Sequence, residues 1–254
     1  MYRNLLLTSL LALASCESLP GRRAYVEPIE AAHGAASWRA RSAASMRLRV
    51  EFNGSLQLEG TLITAPDGAR TRIETADGSV IVSTGDSVHV SPAAAANPRM
   101  RFHALTWSYF LAAPFKLEDP GSRLEELGQA ELDGRTHDLA RLTFGAGVGD
   151  APDDWYVLYR DAETGTLSAM AYIVTFGKDP AEVTEADAHA MVYRDFQTVD
   201  GVAIPMRWEF YDWSRELGPH GDPIGEVRLT DFHFTEAGPN AFTAPEGSVV
   251  VEVP

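Results

Sequence analysis

Residues 155–176 read WYVLYRDAETGTLSAMAYIVTF, and the architecture follows from them. Trp155-Tyr156-Val157-Leu158-Tyr159 is apolar or aromatic at every position, as is most of Leu167 to Phe176. Arg160-Asp161-Ala162-Glu163-Thr164-Gly165 separates the two runs, a polar loop ending in glycine that reads as a hairpin connection. An antiparallel hairpin with one face in water alternates apolar and polar residues. This one does not alternate, so both of its faces need cover. The expectation is a large, curved antiparallel sheet, centred here and wrapped round internal helices or a ligand.

On the N-terminal side, Met46, Leu48, Val50 and Phe52 alternate with Arg47, Arg49 and Glu51, the pattern of a half-buried strand. Asn53-Gly54 predicts a tight hairpin, and Leu56, Leu58, Gly60 and Leu62 share one face of the return strand. Pro66-Asp67-Gly68 and Asp77-Gly78 turn the chain around short strands at 70–75, 80–83 and 88–90. Strands at 123–127, 138–144, 191–198, 203–213 and 226–234 complete a meander, with a loop at 219–223 and an extended tail from 242. Lys178 to Asp187 is a polar excursion that could cap a barrel mouth. Arg99 to Ala113 differs: Phe102, Leu105, Trp107, Tyr109, Phe110 and Leu111 point nearly all round a helix. A helix apolar on every side is buried, and this one is too short and too polar to span a bilayer. It is expected as a plug inside the sheet.

The first residues are processing sequence. Arg3 gives a positive n-region, Leu5 to Leu13 a short apolar core, and Ala14-Ser15 a small-residue cleavage site. Leu13-Ala14-Ser15-Cys16 resembles the lipobox of bacterial lipoproteins, and Cys16 is the sole cysteine among 254 residues. An internal disulfide is therefore impossible and lipidation is the obvious use of the thiol. In such lipoproteins the cysteine is diacylglycerated and its freed amino group acylated, with palmitate-type chains. Residues 1–15 are thus expected as signal peptide, 16–26 as tether, and 27–254 as one domain whose first helix opens at Glu27-Pro28. Glu17, where an aspartate would favour inner-membrane retention, points to the outer membrane facing the periplasm. The net charge of −15 argues against nucleic acid and against electrostatic adhesion to anionic lipid.

Ala32-His33-Gly34 with Trp38, Phe115 to Gly121, and Pro152-Asp153-Asp154-Trp155-Tyr156 together resemble bacterial lipoproteins of the DUF6503 type. Thr198 to Pro205 and Phe242 to Gly247 are similar to the ends of lipoprotein-sorting proteins of the LolA and LolB type. The resemblance extends over nearly the whole mature chain. It implies a mainly β (α+β) fold: an incomplete antiparallel β-barrel wrapped round one or two helices, LolA-like, with an apolar cavity able to hold acyl chains. It brings no catalytic residues.

Candidate chemistry is sparse. Asp153-Asp154 could form an acid/base pair, but adjacent strand residues face opposite ways, so a solvated turn is favoured. Asp231 and His233 lie two apart on one strand, and His220-Gly221-Asp222 offers a similar pair in a loop. With no second cysteine and no H-x-x-x-H, a structural zinc site is not expected, and no metal or cofactor is assigned. G-x-S-x-G, P-loop and Rossmann fingerprints are all missing. The reading is a non-enzymatic, membrane-anchored lipoprotein that holds an acyl chain or similar apolar ligand. Trp107, Phe110, Phe115, Trp155 and Tyr172 are expected to line its pocket. The alternative is an interaction module holding an envelope protein on a sheet edge or groove; a hydrolase ranks below both.

Overall fold

The computed structural model describes residues 20–252; the leader and the expected lipidation site, Cys16, lie outside the described residues. In chain order the elements are α1 (Pro20–His33), α2 (Ala35–Arg39), β1 (Ala43–Phe52), β2 (Ser55–Thr64), β3 (Arg70–Thr75), β4 (Val80–Thr84) and β5 (Val88–Ser91). Next come α3 (Pro98–Ala112), β6 (Ser122–Leu132), β7 (Arg135–Phe144), β8 (Tyr156–Asp161) and β9 (Leu167–Tyr172). The chain finishes with β10 (His189–Val199), β11 (Val202–Ser214), β12 (Gly218–Thr235) and β13 (Val249–Val251).

These strands form one sheet in the order β13-β5-β4-β3-β2-β1-β12-β11-β10-β9-β8-β7-β6. The pairings are antiparallel, and β13 and β6 remain as unpaired edges, so the barrel is incomplete as expected. Register slips in the β1–β2, β1–β12, β11–β12, β8–β9 and β6–β7 ladders mark bulges, which bend and twist the sheet. Asp231, at φ 54°, sits in the bulge opposite Ser45 to Arg47. The loop expected at 219–223 is instead the start of β12, paired with the end of β11.

Among the described residues, the three α-helices pack into one core with the sheet. α1 begins at Pro20, inside the stretch expected to be tether, and runs through Pro28. Proline within a helix removes the N–H owed to the carbonyl four residues earlier. Here the Arg160 guanidinium takes that place, donating to the Ala24 and Tyr25 carbonyls at 3.2 and 2.9 Å. The chain then breaks at Gly34, whose φ of 74° suits glycine. A Cβ at Gly34 would stand 2.0 Å from the Gly201 carbonyl oxygen, so the missing side chain lets the helix end touch the β10–β11 turn.

The two-faced β8–β9 hairpin separates two cores. Inward, Leu158, Leu167, Met170 and Tyr172 join the main core shared with the helices. Outward, Val157, Tyr159, Ala169 and Ala171 meet a second core containing Leu132, Ala188 and Trp213. The chain itself covers that outer face. Trp213 Nε1–H donates to the Tyr159 hydroxyl at 2.8 Å, and Val183 from the polar excursion packs against the same cluster. Further along the sheet the outer face meets water. There Arg194, Arg207, Arg228 and Arg49 line up across strands, and a row of Glu209, Glu226 and Glu51 beside them offsets the like-charge opposition.

Candidate ligand-binding cavity

Asn97 caps α3, its side-chain oxygen accepting from the Arg99 N–H at 3.0 Å, with Pro98 in the first turn. No residue from Met100 to Phe115 is exposed, as its all-round apolar sequence requires. One side of α3 packs on β3, β4 and β5, where the Thr71 hydroxyl donates to the Ala104 carbonyl at 2.9 Å. The other side stands off from the far half of the sheet. Between them lies a cavity of about 720 Å³, well within the range of small-molecule sites. Phe102, Trp107, Tyr109 and Phe110 line it from the helix. Phe52, Phe144, Tyr156, Tyr172 and Phe210 line it from the strands.

Of the residues expected from sequence, Trp107, Phe110 and Tyr172 are brought together on this cavity, with the Phe110 and Tyr172 rings 5.4 Å apart. Phe115 and Trp155 are not among its lining. Phe115 stacks on Trp38 at 4.8 Å, in the filled part of the inner core beneath α1 and α2. Trp155 faces outward, 5.6 Å from Trp213 and under the Arg141 guanidinium at 4.9 Å. The reason is alternation: Tyr156 pairs with Tyr172 across the hairpin and points inward, so its neighbour Trp155 must point out. Phe52, also missed, was legible by the same rule from the Val50/Phe52 face. Its ring covers Gly225, its cross-strand partner, where a Cβ would come within 2.5 Å of the ring.

Among the polar groups on the cavity, His103 and three tyrosines are neutral, while the side chains of Arg99, Lys116, Asp119, Asp150 and Asp154 also line it. Trp107 Nε1–H donates to His103 Nδ1 at 3.0 Å, and burial, helped by nearby Arg99, lowers the His103 pKa to about 4. Burial raises the pKa values of Tyr109, Tyr156 and Tyr172, and their hydroxyls have no protein partner among the described residues. Charges around the mouth are paired off. Arg101 Nη2 donates to Asp150 at 2.8 Å and Lys116 pairs with Asp119, while Asp154 accepts from the Thr175 N–H and hydroxyl, both at 2.7 Å. Burial raises the Asp154 pKa. Arg99 is exposed at the rim and has no ion-pair partner among the described residues.

The other polar candidates do not converge. Asp153 is exposed while Asp154 turns to Thr175, so the two carboxylates serve different surroundings. His233 Nδ1–H donates to the Asp231 carbonyl at 2.8 Å, and His220 Nδ1–H to the Gly218 carbonyl at 2.9 Å, each a local strand contact. Among the described residues no group of three His, Cys, Asp or Glu side chains could hold a metal ion.

Solved structures share this architecture. A LolA superfamily protein from Nitrosomonas europaea superposes with a TM-score of 0.58 at 10% identity, over 87% of this chain and 97% of that one. The fold is LolA-like. A putative outer membrane lipoprotein-sorting protein domain from Vibrio parahaemolyticus gives 0.54 at 11% identity, over 87% and 95%. A DUF1329 family protein from Desulfovibrio piger gives 0.50 at 10% identity, again over 87% and 95%. At these identities the likeness is one of fold. No protein-family model matches the sequence, and no curated protein matches it.

Proposed function

We propose that this chain is an envelope lipoprotein, anchored through Cys16 at the outer membrane facing the periplasm, that holds an acyl chain in the cavity beneath α3. The observation that carries the reading is the gap between α3 and the far half of the sheet, walled by aromatic side chains on both sides. Burial drives binding, at about 0.8 kcal/mol per methylene removed from water, against the cost of ordering the chain. The LolA-like fold, shared with a putative outer membrane lipoprotein-sorting domain from Vibrio, supports a role in lipid or lipoprotein handling. The leader and lipobox support the anchor. The finer resemblance to DUF6503-type lipoproteins rests on the motifs alone. Paired charges at the mouth and dispersed histidines support holding a ligand over converting it.

The test is a titration of the purified protein with a fluorescent fatty-acyl ester. Saturable binding near one probe per chain, displaced by unlabelled acyl lipid, is expected. An absence of saturable binding overturns the proposal.

A further inference from the structure

His103 sits in the second turn of α3, nine-tenths buried and on the cavity wall. An indole N–H can only donate, so the 3.0 Å contact from Trp107 Nε1 makes His103 Nδ1 the acceptor. The ring proton is then on Nε2. That N–H has no acceptor among the described residues, and Nε2 is not one of the side-chain atoms sealed off from solvent without a partner. The imidazole stacks on the Trp107 ring at 5.9 Å and meets Phe102 edge-on at 5.9 Å, which fixes its plane. The cavity therefore offers one oriented, uncharged N–H donor among aromatic walls.

Resting on the acyl-binding reading, we infer that His103 is a specificity-determining anchor: its Nε2–H donates to the carbonyl of an ester- or amide-linked acyl ligand and disfavours a free fatty acid. The chemistry separates the two. An ester or amide carbonyl is a neutral acceptor that matches a neutral donor and enters an apolar space at modest cost. A carboxylate could accept the same N–H, but it would be buried as a charge, a cost that an imidazolium would offset far better than a neutral ring. Forming that imidazolium requires a proton on Nδ1, the position already facing the Trp107 N–H. Tyr109, Tyr156 and Tyr172 add only neutral hydroxyls to the same space, consistent with an uncharged head. Of the two cations that line the cavity, Lys116 is paired with Asp119, and Arg99 is exposed with no ion-pair partner among the described residues.

The experiment measures displacement of N-phenyl-1-naphthylamine, an apolar fluorophore without a carbonyl, by monopalmitoylglycerol and by palmitate at pH 7.5. In the wild type the ester should displace the probe at roughly ten-fold lower concentration than the acid. His103→Phe keeps an aromatic ring but removes the donor, and should shrink that ratio about five- to ten-fold, the worth of one hydrogen bond. Trp107→Phe keeps the imidazole but frees its tautomer, and should shrink the ratio in the same direction, so the inference does not depend on one variant folding. Equal displacement by ester and acid in the wild type, or a ratio unchanged in the variants, overturns the role of His103 while the acyl cavity stands. Failure of the wild type to bind the fluorophore, the ester and the acid overturns the cavity reading and this inference with it.

Discussion

Two tryptophans of equal burial should respond differently to truncation. Trp38 is 1% exposed and Trp107 2% exposed. Trp38 lies in filled core, stacked on Phe115 at 4.8 Å, edge-on to Phe234 at 5.9 Å, and donating to the Pro66 carbonyl at 3.0 Å. Trp38→Ala leaves a new void and an unpaired carbonyl. The expected cost is the ~5 kcal/mol at the upper end for core aromatics, with ~1 kcal/mol more for the hydrogen bond. Trp107 meets Phe102, Phe210 and His103, donates to His103 Nδ1 at 3.0 Å, and faces a pre-existing cavity. Removing it enlarges a space already present and forfeits fewer contacts, so ~2–3 kcal/mol is expected, with the same ~1 kcal/mol more for its hydrogen bond to His103. Urea unfolding followed by circular dichroism, which does not depend on the deleted indoles, gives both values as midpoint shifts at constant m. Binding of a fluorescent fatty acid should weaken in Trp107→Ala and persist in Trp38→Ala. Equal stability losses, with probe affinity unchanged in Trp107→Ala, would refute the assignment of Trp107 to a ligand wall.

Acid should destabilise the protein between about pH 6.5 and 4. His33 accepts the Leu167 N–H at Nε2 at 3.0 Å, and burial lowers its pKa to about 4, as it does for His103. Each folded-state pKa lies below the unfolded value, so the unfolded chain takes up the proton first. The stability from keeping both neutral is complete above pH 6.5 and falls by ~3 kcal/mol per histidine by pH 4. Chemical denaturation across that range checks the slope, and His33→Gln should flatten it. Gly34→Ala should cost ~2 kcal/mol or more by thermal or urea unfolding, since its φ of 74° strains alanine and its Cβ would strike the Gly201 carbonyl. Cys16→Ser should leave folding intact by circular dichroism yet lose partitioning into the detergent phase.

The fold was legible where periodicity is local. Met46 to Phe52 alternates over a single strand, and Asn53-Gly54 names its own turn, so the run of neighbours from β1 to β5 could be read directly; the jump from β5 to β6 at the far edge and the pairing of β1 with β12 could not. The unalternating hairpin at 155–176 announced cover on both faces. It could not announce which part of the chain supplies the outer cover, because Trp213 and Leu132 reach it only through tertiary packing. The excursion at 178–187 is mostly polar, yet its Val183 and the adjoining Ala188 pack against the outer core. α1 begins ahead of the point at which Pro28 reads as a helix opener; the Arg160 side chain that repairs the helix around it lies far along the sequence. In the cavity, composition picked out the aromatic side chains, but only alternation distinguishes Tyr156 from Trp155. His103 carried no signal of its own, since its role depends on the Trp107 N–H four residues on and the space beside them.

Organic extraction of the purified Cys16→Ser protein, followed by mass spectrometry, tests the account most directly. With its own acyl group removed, any lipid recovered must come from the cavity. The account predicts an acyl-bearing lipid in near-stoichiometric amount, reduced in the extract of the matching Trp107→Ala protein. An extract free of acyl lipid, from protein that also fails to bind an added fatty-acyl ester probe, would contradict it.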